Sequence, residues 1–141
     1  AGGRGLPEGG RMKIAVAGGR ETADYLTGLL REAGHKVAVI QEDRAFCEHL
    51  SAKYDMSVTC GDPCREDVLA DAGIRGCGLF LALLPEDADN LEVCQMAKRL
   101  FAAEKTACLV RNPANVEIFE SLGVDRAVSP ARLLAAYAAE G

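Results

Sequence analysis

Six residues, Ala17-Gly18-Gly19-Arg20-Glu21-Thr22, directly follow the apolar run beginning at Ile14 and precede a segment of helical period. A dinucleotide-binding fold carries G-x-G-x-x-G at this place. Its first glycine permits a tight turn, the second lets the backbone approach a pyrophosphate, and the third lets helix and strand pack closely. Only the middle position, Gly19, matches here, while Ala17 and Thr22 put side chains at the other two and Gly18 compensates in part. Alanine is tolerated where φ stays negative, whereas a β-branched threonine is expected to hold the helix away or narrow the phosphate pocket. Amides at a helix start can bind an anion, and Arg20 can add a charge-assisted bond. Glu21 sets a negative charge beside it, which also suits a helix N-terminus.

A second chemical position lies roughly 20 residues on, at the end of the second strand, where such folds place an acid that accepts from a ribose. Gln41 occupies it. Its amide carbonyl can accept one such bond without charge, and Glu42 or Asp43 reaches the ligand only if the strand end turns. Asp43 is otherwise the expected N-cap of a helix over Arg44 to Tyr54. The six cysteines, at 47, 60, 64, 77, 94 and 108, contain no C-x-x-C pair. They read as small buried thiols of a reducing compartment rather than as disulfides, and Cys60-Gly61-Asp62-Pro63-Cys64 has poor zinc spacing. His35 and His49 have no nucleophile and acid at a recognisable spacing.

The elements that must position these residues are legible. Short, nearly continuous apolar runs at Ile14–Ala17, Val37–Ile40, Met56–Thr59, Leu79–Leu84, Ala107–Val110 and Ala127–Val128 predict strands covered on both faces. Between them, Ala23, Leu26, Leu30 and Ala33 stop at Gly34, and Phe46, Leu50 and Tyr54 share one face. A short third helix ends at Gly73, Leu91, Cys94, Ala97 and Phe101 mark the longest, and Pro113 and Pro130 open the last two. Strict β-α alternation with right-handed crossovers predicts a doubly wound, Rossmann-like parallel sheet of six strands, order 3-2-1-4-5-6, in a single domain. Ala1 to Arg11, with five glycines, reads as a flexible lead-in or an added remnant before a domain over 12–141.

Composition limits the partners. A length of 141 residues with 49% hydrophobic residues supports one core, and a net charge of -5 argues against nucleic acid or an anionic membrane surface. The longest apolar run, Leu79 to Leu84, is far short of the ~20 residues that span a bilayer.

The order of these features resembles the regulator-of-potassium-conductance family, also called KTN or TrkA N-terminal domains, over 12 to about 139. The resemblance is carried by Met12-Lys13-Ile14-Ala15-Val16, Gly34-His35-Lys36-Val37, Gly61-Asp62 and Leu69-Ala70-Asp71-Ala72-Gly73-Ile74. Asp89-Asn90, Val110-Arg111-Asn112-Pro113, Leu122-Gly123-Val124-Asp125 and Val128-Ser129-Pro130 continue it. The resemblance implies a cytoplasmic regulatory domain, peripheral to the inner membrane, that binds an adenine nucleotide (ATP, ADP, AMP or NAD(H)) and gates a potassium channel or transporter. It implies no reaction. By position, the resemblance implies that Gly19 and Arg20 face phosphates, Gln41 the ribose, Gly61-Asp62 the adenine and Arg111-Asn112 the mouth of the cleft, with Gly18, Glu21, Thr22 and Glu42 completing the expected cofactor-binding set. Asp62 is equally suited to a turn beside Pro63. The family commonly has glycine at Ala17 and Thr22, an acid at Gln41 and often an acid at Ala131. The last departure argues against a divalent ion, so no metal is expected.

The partners implied are a membrane potassium channel or transporter subunit and a second copy of the chain, in a homodimer or ring. The stripe Leu133, Leu134, Tyr137 could supply a dimer contact, or else pack in the core. Two alternatives stay open: an assembly subunit that has lost nucleotide binding, and the detached cofactor domain of an NAD-dependent oxidoreductase.

Overall fold

The computed structural model describes residues 10–141, so most of the expected lead-in lies outside the described residues. Six strands and six helices alternate: β1 (Lys13–Gly18), α1 (Glu21–Glu32), β2 (Lys36–Gln41), α2 (Arg44–Tyr54), β3 (Val58–Cys60) and α3 (Glu66–Asp71), then β4 (Leu79–Leu83), α4 (Asp87–Phe101), β5 (Thr106–Leu109), α5 (Asn115–Ser121), β6 (Arg126–Val128) and α6 (Pro130–Glu140). The strands form one parallel sheet in the order β3-β2-β1-β4-β5-β6, the predicted order. β1 lies at its centre, with Ala17 opposite Ile40 on one side and Ala82 on the other.

Burial explains why the apolar runs are continuous. On β1 the side chains of Ile14 and Val16 pack with Ala23 and Leu30 of α1. Ala15 and Ala17 join the opposite layer with Phe80, Ala82, Leu69 of α3, Val93, Cys94 and Ala97 of α4, and Phe119 of α5. A strand wrapped this way has no wet face, so its period-two alternation carries no polar residues. No described helix is long and apolar enough to cross a membrane.

Several element ends shift by a residue or two from their expected places, and three of these shifts have a plain local reason. β3 begins at Val58 rather than Met56 because α2 unwinds through Asp55 in the left-handed region (φ 51), with the Met56 amide still bonded to the Ser51 carbonyl at 3.3 Å. β4 stops at Leu83 because Leu84 turns both of its backbone polar groups toward the Asn90 side chain. Pro113 lies in the turn before α5, where its carbonyl accepts from the Val116 amide, rather than inside the helix. By contrast α1 ends as its sequence requires, with Gly34 at φ 96 and the His35 amide on the Leu30 carbonyl.

α1 and α2 are clamped by polar groups on Asp24. Its carboxylate accepts from Tyr54 Oη at 2.6 Å and from Lys53 Nζ at 3.0 Å, and lies 3.2 Å from His49 Nε2. The Tyr54 hydrogen bond, with Lys53 and His49 assisting, outweighs desolvation and holds the Asp24 carboxyl down to about 2 from 3.8. A carboxyl lowered on folding adds stability above its unfolded value and loses it as pH falls through the folded one. The acid limb of the stability profile should therefore fall between 3.8 and about 2, and Asp24→Asn should flatten it, as read by thermal unfolding across that window. Thr27 is fully buried and its Oγ1 has no hydrogen-bond partner. Thr27→Val, which removes an unpaired buried hydroxyl, should raise stability by about 1 kcal/mol in denaturant titration.

Candidate functional site

A parallel sheet that winds left and right from β1 sends the following helices to opposite faces, and the strand ends part into a crevice. Here that crevice is a cleft of about 740 Å³ spanning both halves of the sheet. One wall is Gly18 to Glu21, Gln41 to Asp43 and Pro63; the other is Leu83 to Pro85, Asp87, Leu109 to Arg111, Pro130 and Ala131.

The β1–α1 turn forms its base. Gly18 (φ 76) and Gly19 (φ 94) both adopt backbone conformations that favour glycine. A Cβ at Gly18 would lie 2.6 Å from Leu84 Cδ2, and one at Gly19 would lie 2.9 Å from Leu83 Cβ. Gly18, treated in the sequence only as partial compensation, is thus as constrained as Gly19. Ala17 remains strand, fully buried and without positive φ, so its methyl costs the turn nothing. Thr22 is exposed and does not line the cleft, and the position pressed against the sheet is Ala23. The expectation that Thr22 narrows a phosphate pocket is corrected accordingly: the second residue of α1 points away from the turn it was assigned to.

Arg20 is strained at φ 44, a conformation costing about 1–3 kcal/mol for a non-glycine residue. Its guanidinium donates to Asp43 Oδ2 at 2.7 Å and lies 4.9 Å from the centroid of Phe46. Asp43 also accepts from the Phe46 amide at 3.1 Å, the N-cap role read from the sequence. The Arg20 bond, together with that amide, lowers the Asp43 carboxyl, and Asp43 raises the guanidinium in return.

Gln41 is 2% exposed, and its Nε2 donates to the Gly18 carbonyl at 2.7 Å. The residue assigned to a ribose is first of all a brace between the end of β2 and the glycine turn, which leaves its Oε1 and the second hydrogen of Nε2 for a ligand. Glu42 lies beside it, exposed at the cleft wall. Gly61 and Asp62 do not line the cleft. Gly61 packs under Val68, 2.9 Å from where a Cβ would stand, and Asp62 Oδ1 accepts from the Cys64 amide in a turn. The neighbouring Pro63 reaches the cleft in their stead.

The other wall depends on residues the sequence reading passed over. Asn90, named there only within the Asp89-Asn90 motif, is 1% exposed. Its Oδ1 accepts from the Leu84 amide at 2.8 Å, and its Nδ2 donates to the Leu84 and Leu109 carbonyls at 3.0 Å, tying the ends of β4 and β5 together. Asp87 accepts from the amides of Arg111 at 2.7 Å and Asn112 at 3.1 Å and from Asn115 Nδ2 at 2.9 Å. Partial burial opposes its charge, but these bonds prevail and the carboxyl is lowered. The Arg111 Nε is held on the Pro85 carbonyl. The proximity of Asp89-Asn90 to an apolar helix face was the only available signal. Beyond the cleft, Cys64, Asp89 and Glu92 bring their ligand atoms within 4.8 Å of one another. Burial, with Asp89 and other nearby acids, pushes the Cys64 thiol up to about 12, so it is neutral there.

Comparison with known proteins places this geometry. The Trk system potassium uptake protein TrkA homolog of Methanothermobacter thermautotrophicus is 29% identical over 126 residues, covering 89% of this chain and 58% of the relative. The chain thus spans less than two thirds of that relative's length. The TrkA-N domain of inner membrane protein ybaL from Escherichia coli superimposes with a TM-score of 0.79 at 16% identity, over 90% of this chain and 94% of that one. The GsuK channel bound to NAD gives 0.75 at 24%, over 94% of this chain and 24% of that one. The model of the TrkA-N domain family matches residues 14–130, nearly all of the sheet and the cleft, and the chain belongs to that family.

Proposed function

We propose that this chain is a regulatory domain, located in the cytoplasm against the inner membrane, that binds an adenine nucleotide in the cleft and gates a potassium channel or transporter without catalysing a reaction. The observation that carries the reading is the β1–α1 turn: Gly18 and Gly19 bare their backbone at the start of α1, beside a strained arginine, in the crevice where such sheets bind phosphates. The family match supports it, as do the structural neighbours described as bound to NAD and to ADP.

The cleft residues divide the ligand between them. The α1 N-terminus and Arg20 would hold phosphate, Gln41 Oε1 and Glu42 would accept from ribose hydroxyls, and Pro63 would flank the base. Leu84, Leu109 and Val110 would pack against the remainder of a dinucleotide. Four carboxylates, Glu21, Glu42, Asp43 and Asp87, face two guanidiniums, Arg20 and Arg111, across this space. That excess disfavours a free triphosphate, and the span over both halves of the sheet suits a dinucleotide. NAD or NADH should therefore raise the unfolding temperature more than ATP at equal concentration without divalent ions. A ligand at 100 times its Kd adds about 2.7 kcal/mol, several degrees for a domain of this size. If ATP gives the larger rise, the charge argument fails; if no nucleotide gives any, the chain is an assembly module with an empty cleft.

Arg20 must exchange Asp43 for phosphate when ligand binds. Arg20→Ala should then weaken binding about tenfold or more, the worth of one charge-assisted bond. Asp43→Asn should tighten it, because the arginine is freed and a negative charge is removed; isothermal titration that finds weaker binding would instead make Asp43 a direct ligand to the ribose. Asn90→Ala strands three backbone groups under the cleft. It should cost about 3 kcal/mol in chemical denaturation.

The partners proposed are a membrane potassium transport subunit and a second copy of this chain. α6 supports the second: no residue of it is buried, and Leu133, Leu134 and Tyr137 are 62%, 69% and 74% exposed. The alternative of core packing for that stripe does not fit this exposure. A dimer mass in light scattering at micromolar concentration is the expected result.

A further inference from the structure

Behind the cleft wall, two thiols thirteen positions apart in sequence converge on one strand end. Cys47 lies in the first turn of α2 and is 6% exposed, and its Sγ donates to the Gln41 carbonyl at 3.3 Å. Cys60 ends β3 as the register partner of Gln41, is exposed, and lies 3.7 Å from the next carbonyl, that of Glu42. The two sulfurs thus sit on the carbonyls of consecutive residues at the end of β2, and Cys60 is close enough to raise the Cys47 thiol. Cys64, four positions on in the sequence, has its Sγ at the Asp89 carbonyl instead.

We propose that Cys47 and Cys60 are an oxidisable thiol pair that closes to a reversible disulfide when the chain meets a peroxide. Exposed Cys60 reacts first: its thiolate attacks the peroxide, the O–O bond breaks, an S–O bond forms, and one water leaves after proton uptake. Cys47 then attacks the Cys60 sulfenic acid; the S–S bond forms, the S–O bond breaks, and the hydroxyl leaves with the Cys47 proton as a second water. Two thiols are oxidised by two electrons and one hydrogen peroxide is reduced to two waters. Burial and the Cys60 sulfur raise Cys47 to about 12, so exposed Cys60 is the thiol that meets peroxide first, and Cys47 attacks only as its proton passes to the departing hydroxyl.

Closure has a consequence for the cleft. Both thiol protons are lost, and with them the contacts to the carbonyls of Gln41 and Glu42. Gln41 is also the brace of the glycine turn.

The test is to treat the purified chain with one equivalent of hydrogen peroxide, block remaining thiols by alkylation, and map the peptides by mass spectrometry before and after dithiothreitol. The expected result is loss of two of the six free thiols, a dithiothreitol-sensitive link between the peptides bearing Cys47 and Cys60, and none in Cys60→Ser. Cys60→Ser alters an exposed position, so its folding is checked by the same unfolding curve as the parent. A link from Cys60 to Cys64, or Cys60 carried to the sulfinic acid while Cys47 stays alkylatable, overturns the proposal.

Discussion

The site depends on how closely the β1–α1 turn approaches the end of β4. Neither Gly18 nor Gly19 has room for a Cβ beside Leu83 and Leu84, and both use positive φ to leave the strand. Any side chain there would push the turn off β4 and shift the first amides of α1 out of the crevice. The central position of β1, paired on both sides, makes that displacement expensive, because five register pairs on each flank would have to move with it.

Around that contact the cleft is held by polar groups that seldom look like binding residues. Gln41 fastens β2 to the Gly18 carbonyl, Asn90 ties β4 to β5, and Asp87 gathers the amides that follow β5. Each satisfies backbone groups that the parting of the strands leaves without a ladder partner, and buried groups left unpaired cost 1–3 kcal/mol apiece. The polar braces thus let strand ends splay into a cavity without orphaned donors. Rigid walls follow, and with them a cleft whose two guanidiniums are already engaged: Arg20 by Asp43, and Arg111 by the Pro85 carbonyl.

The regulation proposed above requires that something move, and the exposed elements are the candidates. The Arg20–Asp43 pair bridges the glycine turn and the start of α2, so exchange of that pair for phosphate would act directly on the α2 N-cap. α6 emerges from the same cleft at Pro130 and Ala131 with nothing buried along it, held to α5 by the paired bonds from Arg132 to Glu117. Ligand contact at one end of a helix and partner contact along its length is an arrangement through which two binding events can be coupled.

The strand order, the two-faced burial of the sheet, the crevice at the β1–α1 turn and the Asp43 cap were all legible in the amino-acid sequence. They rest on local period, chain connectivity and right-handed crossovers, which short stretches of residues suffice to specify. The family was legible too, since its short motifs keep their order along the chain. What the side chains do at the site was decided only by tertiary structure. Thr22 and Ala23 differ by one position, a rotation of about 100° around the helix, and that alone sends one to solvent and the other to the core. Gln41 becomes a brace, Asn90 a tie and Cys47 a neighbour of Cys60 because parallel pairing sets residues far apart in sequence at the same level of the sheet. Sequence spacing measures distance along the chain, and these roles depend on distance across it.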